Sequence, residues 1–445
     1  MTLLGERGTS PLVFLTRAAI VTALAALAGC QVAPTPPPAV APPQGPARAV
    51  FTPTTYRELP GWNDDRQQAA WPAFRVGCKA LVARSRTQAL WQAPCSAADA
   101  VDEHDANAVR SFFEENFTPY RVTASDGDTS GLVTGYYEPL LKGSRTASPS
   151  FPAPLYTPPD DLLIVELSDL YPELKGKRVR GRLDGRHVVP YWARADIDAG
   201  KANTNGNVLV YVSDPVDAFF LQIQGSGRVQ LDDGGIMRVG YADQNGQPFR
   251  SVARVLIDRG ELTLGEASMQ GIREWGRRHP DQLPALLDEN PSYVFFREVP
   301  PPQPGSLEAK IDGPIGSLGV PLLAERTIAV DPRAIPLGAP VFLATTEPLF
   351  DERRSATPRR EFGPLGGSAA AVLANATASV GGSYKPLQRL VMAQDTGGAI
   401  RGPIRADFFW GFGDEAGQQA GRMRQQAEEW LLWPNGAPPP APRGN

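Results

Sequence analysis

The sequence predicts a mainly β fold with flanking helices, and three observations carry that expectation. Glycine and proline are abundant, with 44 and 45 residues in a chain of 445, so turns are frequent. From Gly131 onward, short apolar runs of strand length alternate with these turn residues, the texture of a barrel or sandwich. Helical periodicity is concentrated before that point and in short later pieces. At this length, with 42% hydrophobic and 21% charged residues, one large or two ordinary domains can be built.

Residues 50–118 read as helical, because Ala106, Val109, Phe112, Phe113 and Phe117 recur at three- and four-residue steps. Strands are expected at Gly131–Tyr137, Asn207–Val212, Ala218–Gln224 and Arg228–Leu231. Helical pieces at about Arg250–Asp258 and Ala267–His279 follow. A second β-rich block begins near Ser292 and includes Thr327–Val330, Pro340–Leu343 and Arg389–Ala393. The polar, glycine-rich interval Leu349–Lys385 reads as a long hairpin excursion or mobile loop. A closing amphipathic helix is expected through Ala416, Ala420, Met423, Ala427 and Trp430, with Asp414 as its cap and Pro434 as its stop.

Composition also limits the chemistry. A net charge of −4 lacks the basic excess of a nucleic-acid binder. Three histidines and three cysteines give a metal cluster little to build from, so a zinc enzyme is not expected. The start is an address: Arg7 and Arg17 precede the apolar run Ala18–Gly29, which ends in Leu27-Ala28-Gly29-Cys30. That run is short for a membrane span. Residues 1–29 therefore read as a secretory signal, and the Pro-rich stretch that follows, uncharged from Val32 to Pro46, reads as part of a stiff tether over 30–49. In an oxidising compartment Cys78 and Cys95 could form a disulfide, although two buried thiols would look the same in sequence.

The densest chemical constellation is Gln394-Asp395-Thr396-Gly397-Gly398-Ala399-Ile400-Arg401-Gly402, followed by Asp407-Phe408-Phe409-Trp410-Gly411. Gly397 and Gly398 behind an aspartate allow a tight turn or close approach to a ligand. Aromatic contact disfavours the charged form of Asp407 and would suit it to act as a general acid. A turn aspartate beside core aromatics fits the same residues. Asp331, in Val330-Asp331-Pro332-Arg333, reads as a turn or cap residue.

These segments resemble the three-aspartate (3D) module. Gly135-Tyr136-Tyr137-Glu138-Pro139 and Phe220-Leu221-Gln222-Ile223-Gln224-Gly225-Ser226-Gly227-Arg228-Val229 resemble signatures of the MltA family of lytic murein transglycosylases. The resemblance spans about residues 120–434. It implies a double-psi β-barrel with an inserted second β-barrel domain and a substrate groove between them. The first barrel segment would lie in 50–138, the insertion in 139–299, and the remaining barrel and closing helix in 300–434, before a tail at 435–445.

The family resemblance implies cleavage of the β-1,4 bond between N-acetylmuramic acid and N-acetylglucosamine in peptidoglycan. The muramic C6 hydroxyl attacks its own C1 and leaves a 1,6-anhydro end, with one carboxyl acting as acid and then base; that chemistry implies no metal or cofactor. Asp407 maps to the catalytic position, with Asp395 supporting it; Asp331 supports the fold. The spacing from Asp395 to Asp407 is one residue longer than in the relatives' pattern, a residue that Pro403 and its loop would absorb. Thr134, Tyr136, Tyr137, Glu138, Gln222, Gln224, Ser226 and Arg228 are the expected substrate-binding residues. Gln222 and Gln224, two apart on an expected strand, would share a face. The Cys30 ending resembles a bacterial lipobox, which implies a lipid anchor at the periplasmic face of the outer membrane, with glycan strands and other cell-wall proteins as partners. A hydrolase using Asp407 with Asp395 as water-activating base, and a barrel that only binds glycan, are the alternatives.

Overall fold

Asp105 accepts hydrogen bonds from the backbone N–H groups of Asn107 (2.8 Å) and Ala108 (3.2 Å), which starts the helix Ala106–Asn116 where the sequence periodicity places it. The computed structural model describes residues 47–174, 178–204, 206–348, 384–398 and 400–441. The expected leader, Cys30 and nearly all of the tether lie outside the described residues, as does most of the 349–385 interval. Two further helices, Trp71–Val82 and Ser85–Ala97, precede Ala106–Asn116. Phe74, Phe112, Phe113 and Phe117 meet in tilted and edge-on ring contacts that anchor these helices to the sheet below. Cys78 and Cys95 are bonded as a disulfide across the first two helices.

The main sheet has eight strands in the order β1 (Ala49–Pro53), β2 (Phe117–Ala124), β17 (Arg424–Pro434), β14 (Pro340–Pro348), β15 (Tyr384–Asp395), β13 (Thr327–Val330), β16 (Arg405–Phe412) and β3 (Gly131–Glu138). Strand β17 divides its length between two partners. Trp430–Pro434 pairs with β2, whereas Arg424–Ala427 pairs with β3. That second pairing joins β3 back to β17 and closes six of the strands into a ring. The ring is mixed: β13–β15 and β16–β3 are parallel, and its other ladders are antiparallel.

All strands from β4 (Leu140–Ser144) to β12 (Val294–Glu298) lie outside this sheet. Six form a second sheet in the order β12, β11 (Ile236–Gln244), β10 (Ser226–Leu231), β4, β9 (Val208–Val212) and β5 (Ala153–Tyr156). Three short strands, β6 (Leu163–Val165), β7 (Val179–Asp184) and β8 (His187–Val189), make a third. The second sheet has its own core, which includes Leu141, Val210, Val229, Val239 and Phe296.

The expected mainly β pair of barrels is not what the chain builds. Nine α-helices accompany seventeen strands among the described residues, so the class is mixed α/β. The main sheet is a mixed ring rather than a double-psi barrel, and an ordered six-stranded sheet replaces the second barrel. Glycine and proline punctuate capped helices as well as strands, which is why composition misleads. The segment expected as strand Ala218–Gln224 lies in the helix Pro215–Gln224: Asp214 caps it through the N–H of Val216 (2.8 Å), and Pro215 occupies its first turn. Its helical geometry separates Gln222 from Gln224 instead of aligning them.

The closing helix also ends earlier, spanning Gly413–Arg422, with Phe412 rather than Asp414 at its cap position. Ala427 and Trp430 belong to β17, where Trp430-Leu431-Leu432-Trp433 is buried by two sheet neighbours.

The disulfide closes a loop between positions 17 apart, which should contribute about 3 kcal/mol by restricting the unfolded chain. Replacing both cysteines by alanine should lower the unfolding free energy by that order in a urea titration. An unchanged midpoint would contradict the assignment of a stabilising role.

Candidate active site

Ala329 fixes the geometry of the two principal carboxylates. On β13 it is registered with Asp395 of parallel β15 on one side and with Asp407 of antiparallel β16 on the other. Two strand spacings of about 4.8 Å therefore place the backbones of the aspartates about 10 Å apart. On the far side of β16, Asp407 is registered with Thr134 of β3. The Thr134 hydroxyl donates to Asp407 Oδ1, making a direct cross-strand contact.

Arg405 precedes Asp407 by two residues and therefore lies on the same strand face. Its guanidinium is 3.8 Å from Asp407 Oδ1 and donates to Thr134 Oγ1 at 2.8 Å. Burial pushes the Asp407 carboxyl above its ordinary range. Arg405 and Thr134 oppose that shift by stabilising the carboxylate, while nearby Asp395 adds to it. The Asp407 side chain retains 22% exposure, so desolvation does not seal it away. Among the three following aromatics, Phe409 shares its face by strand alternation and packs against Tyr136 at 5.1 Å between ring centres. Phe408 and Trp410 instead pack on one another.

Asp395 is tightly held. Its Oδ1 accepts from the backbone N–H (2.9 Å) and hydroxyl (2.8 Å) of Ser317, and its Oδ2 accepts from the Tyr136 hydroxyl at 3.2 Å. Burial raises its pKa, with these hydrogen bonds opposing the rise. Tyr136 lies between the carboxylates electrically: burial, then Asp395 and Asp407, pushes its hydroxyl well above its ordinary pKa. It consequently acts as a neutral donor.

Asp331 has a different role. Its Oδ1 accepts from the backbone and side chain of Arg333, and its Oδ2 accepts from Arg333 (2.7 Å) and the Gly402 N–H (3.0 Å). Burial would raise this carboxyl, but these donors outweigh it and leave its pKa below the ordinary value. Gly402 has φ +120°, a backbone setting that favours glycine. Asp331 thus secures the turn leading into β16. Gly397 receives backbone and Arg401 hydrogen bonds at its carbonyl, whereas Gly398 is exposed with open space at its Cβ position.

Tyr137 and Glu138 of β3, with Gln224 and Arg228, form a seam between the main and second sheets, whereas Gln222 and Ser226 lie within the second-sheet region. Glu138 Oε2 accepts from Arg228 Nε at 2.9 Å, while Arg228 also binds Asp312 through contacts of 3.1 and 2.9 Å and lies over Phe412. Burial raises Glu138, and Arg228 opposes that rise. The Tyr137 N–H donates to Gln224 Oε1 at 3.3 Å, and its hydroxyl approaches Met269 Sδ at 3.8 Å. Gln222 is buried and accepts from Arg194 at 2.6 Å. Ser226 is half-buried at the start of β10.

Sequence reading missed Ser317, whose role depends on a contact across 78 positions. Arg405 had a local signal in its two-residue spacing from Asp407. Glu429 was also missed: it is fully buried on β17, and neither carboxyl oxygen has a hydrogen-bond partner among the described residues. Burial pushes it up to about 8, while Arg405 pulls the other way.

The MltA-specific insert domain family matches residues 132–297, and the 3D domain family matches residues 326–433. Membrane-bound lytic murein transglycosylase A from Escherichia coli K12 is 32% identical over 316 residues, covering 70% of this chain and 68% of that protein. A crystal structure of MltA from Neisseria gonorrhoeae aligns with a TM-score of 0.70 and 36% identity, covering 89% of this chain and 95% of that chain. The lytic transglycosylase LtgG of Burkholderia pseudomallei aligns at 43% identity with a TM-score of 0.53, covering 88% and 98% of the respective chains.

Removing either stabiliser of the Asp407 carboxylate should raise its titration midpoint. Thr134→Val and Arg405→Gln should both do so when the Asp407 carboxyl carbon is followed by NMR; an unmoved midpoint in either variant would refute that contribution. Glu429 makes a separate stability prediction. Between its ordinary value of 4.5 and about 8, the unfolded chain releases a proton that the folded chain keeps. Stability therefore falls as pH rises through this window, with no further contribution beyond it. Glu429→Gln should flatten that fall, by at most about 5 kcal/mol, in denaturant titrations across the pH range.

Proposed function

The chain belongs to the membrane-bound lytic murein transglycosylase A family and acts as a peptidoglycan lytic transglycosylase; we propose that Asp407 is its single acid–base catalyst. Protonated Asp407 gives its proton to the glycosidic oxygen as the bond from muramic C1 to that oxygen breaks. The muramic O6 then bonds to C1, and its proton passes to the Asp407 carboxylate. The products are an N-acetylglucosamine terminus and a 1,6-anhydromuramic terminus. Water is not consumed, and Asp407 ends protonated for another turnover.

The observation that carries this assignment is the difference between the two aspartates. Asp407 is reachable and raised in pKa by burial, as a general acid requires. Both oxygens of Asp395 are already occupied by Ser317 and Tyr136. This favours Asp395 as a positioning residue and weighs against its use as a free base for water. Thr134 and Arg405 are suited to hold the carboxylate formed after proton donation. Tyr136, Tyr137 and the 222–228 stretch supply the proposed sugar-binding surroundings.

The partition at residues 139–299 is supported by sheet membership, since β4–β12 stay out of the ring while strands before and after them build it. No helix among the described residues is long and apolar enough to cross a membrane. The Leu27-Ala28-Gly29-Cys30 ending supports attachment through lipid on Cys30 at the periplasmic face of the outer membrane.

The test uses purified peptidoglycan and mass spectrometry of released sugars. Wild type should give products one water lighter than hydrolysis products, and Asp407→Asn should reduce turnover by about a thousandfold or more. Reducing-end products would overturn the anhydro-forming route. The alkaline side of the wild-type rate profile should fall as pH passes the raised Asp407 pKa, because its proton is then lost before catalysis.

A further inference from the structure

A cavity of about 430 Å³ is lined in part by the 313–321 stretch, which also holds Asp395 through Ser317, and the catalytic account leaves it unused. Gly313, Ile315, Gly319 and Pro321 contribute one wall. Ser317, on the same stretch, presents its N–H and hydroxyl to Asp395. Cavity and catalytic centre therefore share a structural partition. The lining also includes Val299 and the run Pro300, Pro301 and Pro302 that follows β12. Volume and apolar walls suit a small organic segment.

The charged groups narrow its chemistry. Lys79 is paired with Glu308 at 2.6 Å. Arg238 is anchored to the Gly313 carbonyl and lies 3.6 Å from Asp312, which Arg228 also binds. Arg297, by contrast, is exposed at the cavity, and its guanidinium has no ion pair or hydrogen bond among the described residues. A planar guanidinium without a counter-charge is suited to a carboxylate, which it can bind through paired hydrogen bonds.

We propose that this cavity is a subsite for the peptide stem of the glycan substrate, with Arg297 receiving a stem carboxylate and the proline wall receiving its aliphatic part. The inference rests on the peptidoglycan reading. In that polymer the muramic lactyl group carries a short peptide with several free carboxylates and aliphatic side chains. Such a segment combines the two features of the cavity in one ligand. Seating it also places the substrate against the partition bearing Ser317, so stem binding and the orientation of Asp395 share a physical element.

The direct test titrates full-length Asp407→Asn protein with free L-alanyl-γ-D-glutamyl-meso-diaminopimelyl-D-alanine by calorimetry. Arg297→Ala in that background should weaken binding by about tenfold, and Arg297→Lys should restore part of it. The companion measurement compares turnover of peptide-bearing and amidase-stripped glycan in otherwise wild-type protein. Arg297→Ala should bring their turnover ratio toward one. Absence of peptide binding by the folded protein, or equal affinity in Arg297→Ala, would overturn the subsite. If neither glycan is cleaved while peptide binding still depends on Arg297, the catalytic reading fails and the subsite stands.

Discussion

The pairing of one short strand with two neighbours is the constraint on which the site depends. Ala329 of β13 is flanked by Asp395 in one ladder and Asp407 in the other. A one-residue slip in either ladder would turn the corresponding side chain to the opposite face. Ring closure through β17 and β3 adds a second control, because β3 supplies both Thr134 and Tyr136. Placement of the two aspartates is therefore a consequence of sheet topology, while loop contacts refine it.

That arrangement gives nearby carboxylates different tasks. Asp331 is surrounded by donors and remains a charged clamp, with its pKa lowered. Asp395 is more strongly desolvated, but its oxygens are directed toward Ser317 and Tyr136. Asp407 combines burial with residual access and two contacts that stabilise its charged form. The balance suits a group that must both release and recover a proton. Arg405 also connects this balance to buried Glu429, so the electrostatic support extends beneath the visible site.

Local sequence was sufficient for several pieces and insufficient for their assembly. The capped helix at Ala106–Asn116, strand β3 and the Arg389–Ala393 part of β15 carry clear local patterns, whereas β16 is not among the expected strands. The helix Pro215–Gln224 shows the limit, because its apolar run resembles a strand despite Asp214 and Pro215. Trp430 shows another: its helical spacing is overridden by sheet partners on both sides. The family motifs identify the chemistry and its substrate, whereas Ser317 and Glu429 become meaningful only when distant strands and loops meet. Likewise, Glu138 and Arg228 look available in sequence, yet folding directs them toward each other.

The most direct measurement of the central claim is cleavage of purified glycan strands in water enriched in oxygen-18. Attack of muramic O6 on C1, with its proton passing to one carboxylate, consumes no water. Newly formed muramic termini should therefore lack the heavy isotope while Asp407-dependent cleavage proceeds. Incorporation of oxygen-18 at muramic C1 during cleavage would instead establish attack by water and contradict the single-carboxyl account.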